Sequence, residues 1–519
     1  MQIIYIYEYN GSAYKIKNMV RTAGILFHIS SLPSKYGIGT LGREAYNFID
    51  FMCKAKLHIW QILPLTVTSY GDSPYQSPSS IALNPYFIDL EFLIEDGLLT
   101  KEECDSINWG DNKLRVNYDL LFKNRNNLLF KAFERFNKND DKYQSFLNKK
   151  EYFDYALFMT LKELHNYKPW SEWEEKSRIY KIGLSNEIAD KYKEKIEFYQ
   201  WTQYIFLKQF NNLKEYAHKH DVKLMGDMPI YVAYDSLEVW KYPELFQLDK
   251  NHYPTRVAGC PPDCFSEDGQ LWGNPLYNYD YMKKNNYEWW NQRILYNLKL
   301  YDIIRIDHFR GFSGYYSIPF GDKTARNGKW VKGPGAELFK DKLNLPIVAE
   351  DLGMMDDDFY KMMDVVKYPG MKIITQCFDD PNTNNIWRPS NYTENFFSYS
   401  GTHDSQTTRQ FIDELSKERK ALMESILDDE CNRLNVEKLE NKTNELMTLK
   451  ICELNFASKA EAAITPLQDF LTIGKEGRMN FPSTLSTNNW SWRVDKDEFT
   501  KKEDELINKI NSWVNKYKR

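Results

Sequence analysis

The chain has 519 residues and a formal net charge of −5, from 68 Lys+Arg against 73 Asp+Glu. With 27% charged and 42% hydrophobic residues, it has the make-up of a globular protein and not of a disordered one. The near-neutral balance excludes the clustered basic face of a nucleic-acid binder, and a mean hydropathy of −0.63 without a long apolar run excludes a spanning helix.

Residues 1–20 carry no Lys or Arg ahead of their apolar run at 3–7 and no small-residue cleavage site. They read as an N-terminal extension and not a signal peptide, with Met19 as a second start. Short apolar runs then recur, each leading into polar residues and a longer helical stretch. They fall at 24–28, 59–64, 223–227, 303–307, 347–350, 371–374 and 396–400. Runs this short and not strictly alternating are what strands buried on both faces look like. Strands alternating with helices imply parallel βα units, and seven or eight such units favour a (β/α)8 TIM barrel. An open doubly wound sheet would place a Gly-rich turn after its first strand, and none is present.

Two stretches are too long for simple connections. Residues 100–216, rich in Lys, Glu, Leu and aromatics at helical intervals, read as an inserted helical subdomain. Residues 415–459 read as an outer helical block against the catalytic barrel, which spans 21–519. The 15% aromatic content is mostly core mass, with some rings free to face sugars. Seven scattered cysteines read as reduced thiols in a cytoplasmic protein.

The residues that end barrel strands project into one mouth, where active sites form. Asp227, Asp307 and Glu350 end three of the runs, and Asp404 follows a fourth. Single acids in such places often cap the next helix, but four together point to chemistry, because burying several carboxylates is costly. A carboxylate pair flanking a bond is the usual apparatus of glycoside cleavage: one nucleophile held ionised, one acid with a raised pKa. Arg305, two residues before Asp307, can hold that nucleophile ionised. Glu350 is placed to be tuned upward by its anionic neighbours, and His28, His308 and His403 are placed to donate to sugar hydroxyls.

Several blocks resemble the 4-alpha-glucanotransferases, the amylomaltases or disproportionating enzymes of the alpha-amylase clan (glycoside hydrolase family 77). The blocks at 305–311, 349–353 and 401–404 look like their catalytic strands. The likeness continues at 30–39, 60–65, 70–77, 226–232, 261–263, 269–275 and 478–480, in the family order. The resemblance implies a retaining double displacement, with Asp307 the nucleophile, Glu350 the acid and base, and Asp404 the stabiliser of the transition state. It implies that Asp227, Arg305, His308 and His403 shape the donor sugar site and that Asp72 and Tyr75 line the cleft. It also implies a loop at 257–277 arching over the cleft, bringing Asp263, Glu267, Trp272 and Asn274 near bound glucan, with Asp379 and Asn480 as further substrate contacts.

The chain departs from the family pattern at Ser405-Gln406-Thr407, which puts the support of Asp404 in question, and at Thr375-Gln376, where an aromatic is expected. Cys260 and Cys264 have no second thiol pair nearby, so no metal is expected, and the absence of a phosphate loop gives no cofactor. The expected partner is a malto-oligosaccharide or α-glucan, with the chain a monomer or weak homodimer that binds neither nucleic acid nor membrane. An amylase-like hydrolase and a non-catalytic glucan-binding protein stand as the alternatives.

Overall fold

The computed structural model describes residues 21–262, 266–353 and 355–519; the N-terminal extension at 1–20 and Asp263 lie outside them. Eight strands form one parallel sheet: β1 (Thr22–Leu26), β2 (Ile59–Gln61), β3 (Lys223–Met228), β4 (Ile303–Ile306), β5 (Ile347–Ala349), β6 (Gly370–Ile373), β7 (Phe396–Tyr399) and β8 (Ala462–Pro466). Each pairs with its chain neighbours apart from β5 and β6, and β8 returns to β1 with Ala462 opposite Thr22. Between β5 and β6 the Ala349 N–H donates to the Pro369 carbonyl at 2.9 Å, so the ring is nearly closed. The architecture is a (β/α)8 barrel.

Seven strands coincide with the apolar runs. The eighth, β8, went unread because Ala462-Ala463-Ile464-Thr465-Pro466 is built mostly from small side chains and ends in proline.

Two-residue alternation sorts the strand side chains. Leu26, Ile59, Met225, Ile303, Val348, Met371, Phe397 and Ala462 form a buried cluster inside the barrel. Ala23, Ile25, Trp60, Leu224, Ile304, Ile347 and Ala349 face outward into the layer shared with the helices. Counting two residues onward along the inner face leads from Met225 to Asp227, from Ile303 to Arg305 and Asp307, and from Val348 to Glu350. The chemistry-bearing residues are therefore continuations of an apolar interior face.

Between β2 and β3 the chain runs through several helices, including Tyr118–Arg135 and Lys150–Leu164. It ends in Lys193–Lys219, which packs on β3 and on the helix Arg43–Lys54. Helices Lys417–Arg433 and Asn444–Ala457 share a separate apolar cluster with Ile374, Cys377 and Phe378, the turn that leaves β6. Asp356 opens the helix Asp357–Val366, its carboxylate accepting from the Phe359 N–H at 2.9 Å.

The segment at 257–277 is more regular than a loop. Strands Arg256–Cys260 and Gln270–Pro275 pair antiparallel, and Gly314–Pro319 and Lys329–Lys332 extend them to a four-stranded sheet. The register slips between Val257 and Gly259, which breaks the alternation by which such strands are recognised.

Gly226, next to Asp227 on β3, marks a close approach: a Cβ there would lie 2.2 Å from the ring of Tyr301. Gly226→Ala is expected to destabilise the protein by about 1–3 kcal/mol through overpacking. Urea denaturation checks this, and an unchanged midpoint would show that the Tyr301 ring yields freely.

Candidate active site

Arg305 projects from β4 into the barrel mouth and is almost fully buried. Its Nη1 lies 2.7 Å from both carboxylate oxygens of Asp227, and its Nη2 lies 2.8 Å from Oδ1 of Asp307. One guanidinium thus serves two carboxylates. The Asp227 side chain is 0% exposed and that of Asp307 is 26% exposed, so of the pair only Asp307 faces the cleft. It sits one residue past β4, its N–H donating to the Met228 carbonyl at 3.0 Å.

Glu350 stands one residue past β5 and is buried. Its oxygens accept from the backbone N–H groups of His308 and Leu352, each at 2.8 Å. Burial pushes its carboxyl up to about 7; Arg305 and the two N–H donors oppose this, while the charge on Asp307 adds to it. The result is an aspartate paired with a cation, beside a carboxyl that keeps its proton to near neutrality. His308 follows Asp307 with φ 50° and ψ 50°, a left-handed conformation that non-glycine residues seldom adopt, and its ring meets the edge of Trp272 at 4.9 Å. Burial pushes its imidazole down to about 4, so it is a neutral ring.

Across the mouth, Asp404 accepts from the Asn480 amide at 2.7 Å through Oδ1 and pairs with His403 Nε2 at 3.1 Å through Oδ2. Burial acts to raise its carboxyl, but the charge and hydrogen bond of His403 and the bond from Asn480 prevail, holding it well below the usual carboxylate range. Tyr75 ties the two halves together. Its hydroxyl donates to Asp227 Oδ2 at 2.8 Å, its oxygen lies 2.8 Å from His403 Nε2, and its ring stacks on that of His403.

This arrangement suits attack on a carbon bearing a protonatable leaving oxygen, and comparison with known proteins says which. The family model described as 4-alpha-glucanotransferase matches residues 27–498. The chain belongs to the 4-alpha-glucanotransferase family. A 4-alpha-glucanotransferase of Clostridium butyricum is 46% identical over 492 residues, covering 93% of this chain and 98% of the relative. One from Streptococcus pneumoniae is 41% identical over 489 residues, covering 92% and 94%. The solved structure of an amylomaltase from Streptococcus agalactiae in complex with acarbose superposes with a TM-score of 0.90 at 40% identity, covering 96% of this chain and all of that one. The chain is an enzyme of the glycosyltransferase type, and the amylase-like hydrolase is not favoured.

Within this 4-alpha-glucanotransferase, the residues singled out from sequence do not all gather in one place. Asp227, Arg305, Asp307, His308, Glu350, His403, Asp404, Asn480 and Tyr75 form the network above, and Trp272 reaches it through His308. Asn274 is buried behind the cover, donating to the Val232 carbonyl at 2.9 Å and accepting from Gln76 at 3.3 Å. Asp72 has φ 56°, and burial with the nearby charge of Asp119 pushes its carboxyl up to about 6. Glu267 lies on an exposed turn of the cover sheet. Asp379 is exposed, and its carboxylate pairs with Arg419 of the outer helical block. Asp263 is outside the described residues.

Ser405 closes its own turn, accepting from the Thr402 N–H at 2.8 Å, and Thr407 caps the helix Thr408–Asp413. The support of Asp404 comes instead from Asn480 and His403. A residue not read from sequence, Asp469, fixes the loop that carries Asp404. It accepts from Ser400 at 2.6 Å, from the Thr408 hydroxyl at 2.7 Å and from the Thr408 N–H at 2.8 Å. It follows β8, and recognising that strand would have exposed it as a further strand-end acid.

The raised carboxyl of Glu350 has a consequence for stability. Below the unfolded value near 4.5 it is protonated in both states and costs nothing; as pH rises from there through 7, the native state resists ionisation and loses stability. Glu350→Gln is therefore expected to be the more stable protein at pH 8, by at most about 3 kcal/mol, with the gain gone near pH 4. Thermal unfolding of both proteins across that range measures it, and a gain independent of pH would contradict the cause given.

Proposed function

We propose that this enzyme transfers α-1,4-glucan segments between malto-oligosaccharides by a retaining double displacement. Asp307 attacks the anomeric carbon, and Glu350 protonates the departing sugar oxygen. The bond between the anomeric carbon and that oxygen breaks as the glucosyl ester on Asp307 forms. Glu350, now ionised, takes the proton from a hydroxyl of the acceptor sugar, which displaces Asp307 and restores both carboxyls. Asp404 faces the positive charge that develops on the donor ring, and Asp227 with Arg305 keeps Asp307 ionised and oriented.

The observation that carries this reading is the unequal pair: Asp307 joined to Arg305 at 2.8 Å, and Glu350 with its carboxyl pushed up to about 7. Two carboxyls whose surroundings separate their protonation are the signature of a nucleophile and an acid. Transfer in preference to hydrolysis requires that a sugar hydroxyl outcompete water at the ester, and the sheet carrying Trp272 gives the mouth a partial cover. The amylomaltase from Streptococcus agalactiae is in complex with acarbose, which supports a glucan-like ligand for this enzyme. Six free cysteines among the described residues fit a reducing compartment, and we place the enzyme in the cytoplasm.

Incubation with maltotriose is expected to give free glucose together with longer oligomers; a chromatogram holding only shorter sugars would assign hydrolysis instead. Asp307→Asn is expected to abolish both. Glu350→Gln is expected to lose roughly 100-fold or more with maltotriose but far less with a glucosyl fluoride, whose leaving group needs no proton for the first step. Equal losses on both donors would remove the acid role from Glu350.

A further inference from the structure

Four buried imidazole nitrogens have no protein partner among the described residues, and two of them, Nδ1 of His403 and Nδ1 of His28, belong to side chains that share a cavity. His28 lies two residues beyond β1 and His403 four residues beyond β7, on strands separated by β8 alone. Both line one small cavity of about 20 Å³ under the mouth, with Ser405, Gln468 and Asp469 among its other walls. A space of roughly 10–15 Å³ by this measure holds one water, and in this mostly apolar cavity the two unpartnered imidazole nitrogens are polar partners that can retain it.

The proton inventory of His403 says what such a water would do. The Tyr75 hydroxyl spends its proton on Asp227, so the contacts of His403 Nε2 with the Tyr75 oxygen at 2.8 Å and with Asp404 Oδ2 at 3.1 Å require a proton on Nε2. Burial acts to lower the His403 imidazole, but the charge and hydrogen bond of Asp404 prevail and raise it, so Nδ1 carries a proton as well and needs an acceptor of its own. Burial, and secondarily the charge on His403, push the His28 imidazole down to about 3, so His28 is a neutral ring with one nitrogen free to accept.

We propose that one water bridges Nδ1 of His403 to Nδ1 of His28, making His28 a positioning residue for Asp404. The water accepts from His403 Nδ1–H and donates to His28 Nδ1. It thereby holds the His403 ring in the plane that keeps Nε2–H on Asp404 Oδ2, while Asn480 secures the other oxygen. The inference rests on the assignment of Asp404 to the donor sugar made above.

Two variants of the full-length enzyme test it. His28→Phe fills the space without an acceptor, and His28→Gln restores one. His28→Phe is expected to lower kcat on maltotriose about tenfold with KM within twofold, as expected for loss of one buried hydrogen bond felt in the transition state. It is also expected to move the ¹⁵Nδ1 resonance of His403, assigned by its disappearance in His403→Gln. His28→Gln is expected to return both toward wild type. A fall in kcat in both variants with an unmoved His403 resonance means a merely structural role and overturns the proposal, as does an unchanged His28→Phe enzyme. The wild-type protein offers a test that needs no variant: His403 Nδ1–H must show magnetisation transfer from a bound water, and its absence overturns the bridge. Asp404→Asn assayed alongside separates the two readings, because full activity there removes the role of Asp404 while the His403 resonance still reports on the bridge.

Discussion

The site depends on one buried cation serving two anions. Arg305 cannot shed its proton, and it is held inside the barrel with no water to solvate it, so its charge is satisfied by Asp227 on one side and Asp307 on the other. Asp227 is wholly enclosed, and burial acts to raise its carboxyl while the charge of Arg305 opposes this. Asp307 stands at the edge of the cleft, paired with the same guanidinium. Glu350 keeps its proton toward neutrality because burial outweighs the opposing charge of Arg305, with the charge of Asp307 adding to the effect of burial. The two carboxyls differ because their neighbours differ: Asp307 pairs with a guanidinium, while Glu350 is buried and accepts from two backbone N–H groups.

The second anion centre, at Asp404, is solved differently. There the balancing charge is an imidazole, and Tyr75 spans the gap between the Arg305 cluster and His403 with a stacked ring and a hydroxyl used in both directions. Asp469 then pins the loop behind Asp404 at Ser400 and Thr408. The mouth is thus a rigid frame of charged hydrogen bonds set on an apolar barrel. The left-handed backbone at His308 is retained within it because the Glu350 carboxylate holds the His308 N–H and Trp272 covers the ring. A frame of this kind needs no reorganisation as charge develops on a sugar ring, which is how electrostatic stabilisation becomes effective.

Much of this was legible in the order of residues. Short apolar runs ending in acids identify barrel strands and their mouth, because a strand buried on both faces must be apolar until it emerges and the period of two is strict. The runs at β3, β4 and β5 therefore announced Asp227, Arg305 with Asp307, and Glu350 together. Where that pattern weakens, so does the reading. β8 is built mainly of small residues, so neither it nor Asp469 beyond it stands out, and in the cover strands the register slip at Val257 to Gly259 breaks the alternation that would mark them. Asp379 is grouped with the substrate contacts by resemblance alone, and its pairing with Arg419 depends on a residue 40 positions away that no strand pattern announces.

The sequence by itself determined the barrel and which side chains stand at the strand ends, because burial and alternation are properties of neighbouring residues. Tertiary structure alone decided which acid is paired and which is isolated. Those roles depend on contacts between residues far apart in the chain, such as Tyr75 with His403 and Asp404 with Asn480, where distance and desolvation set the charge.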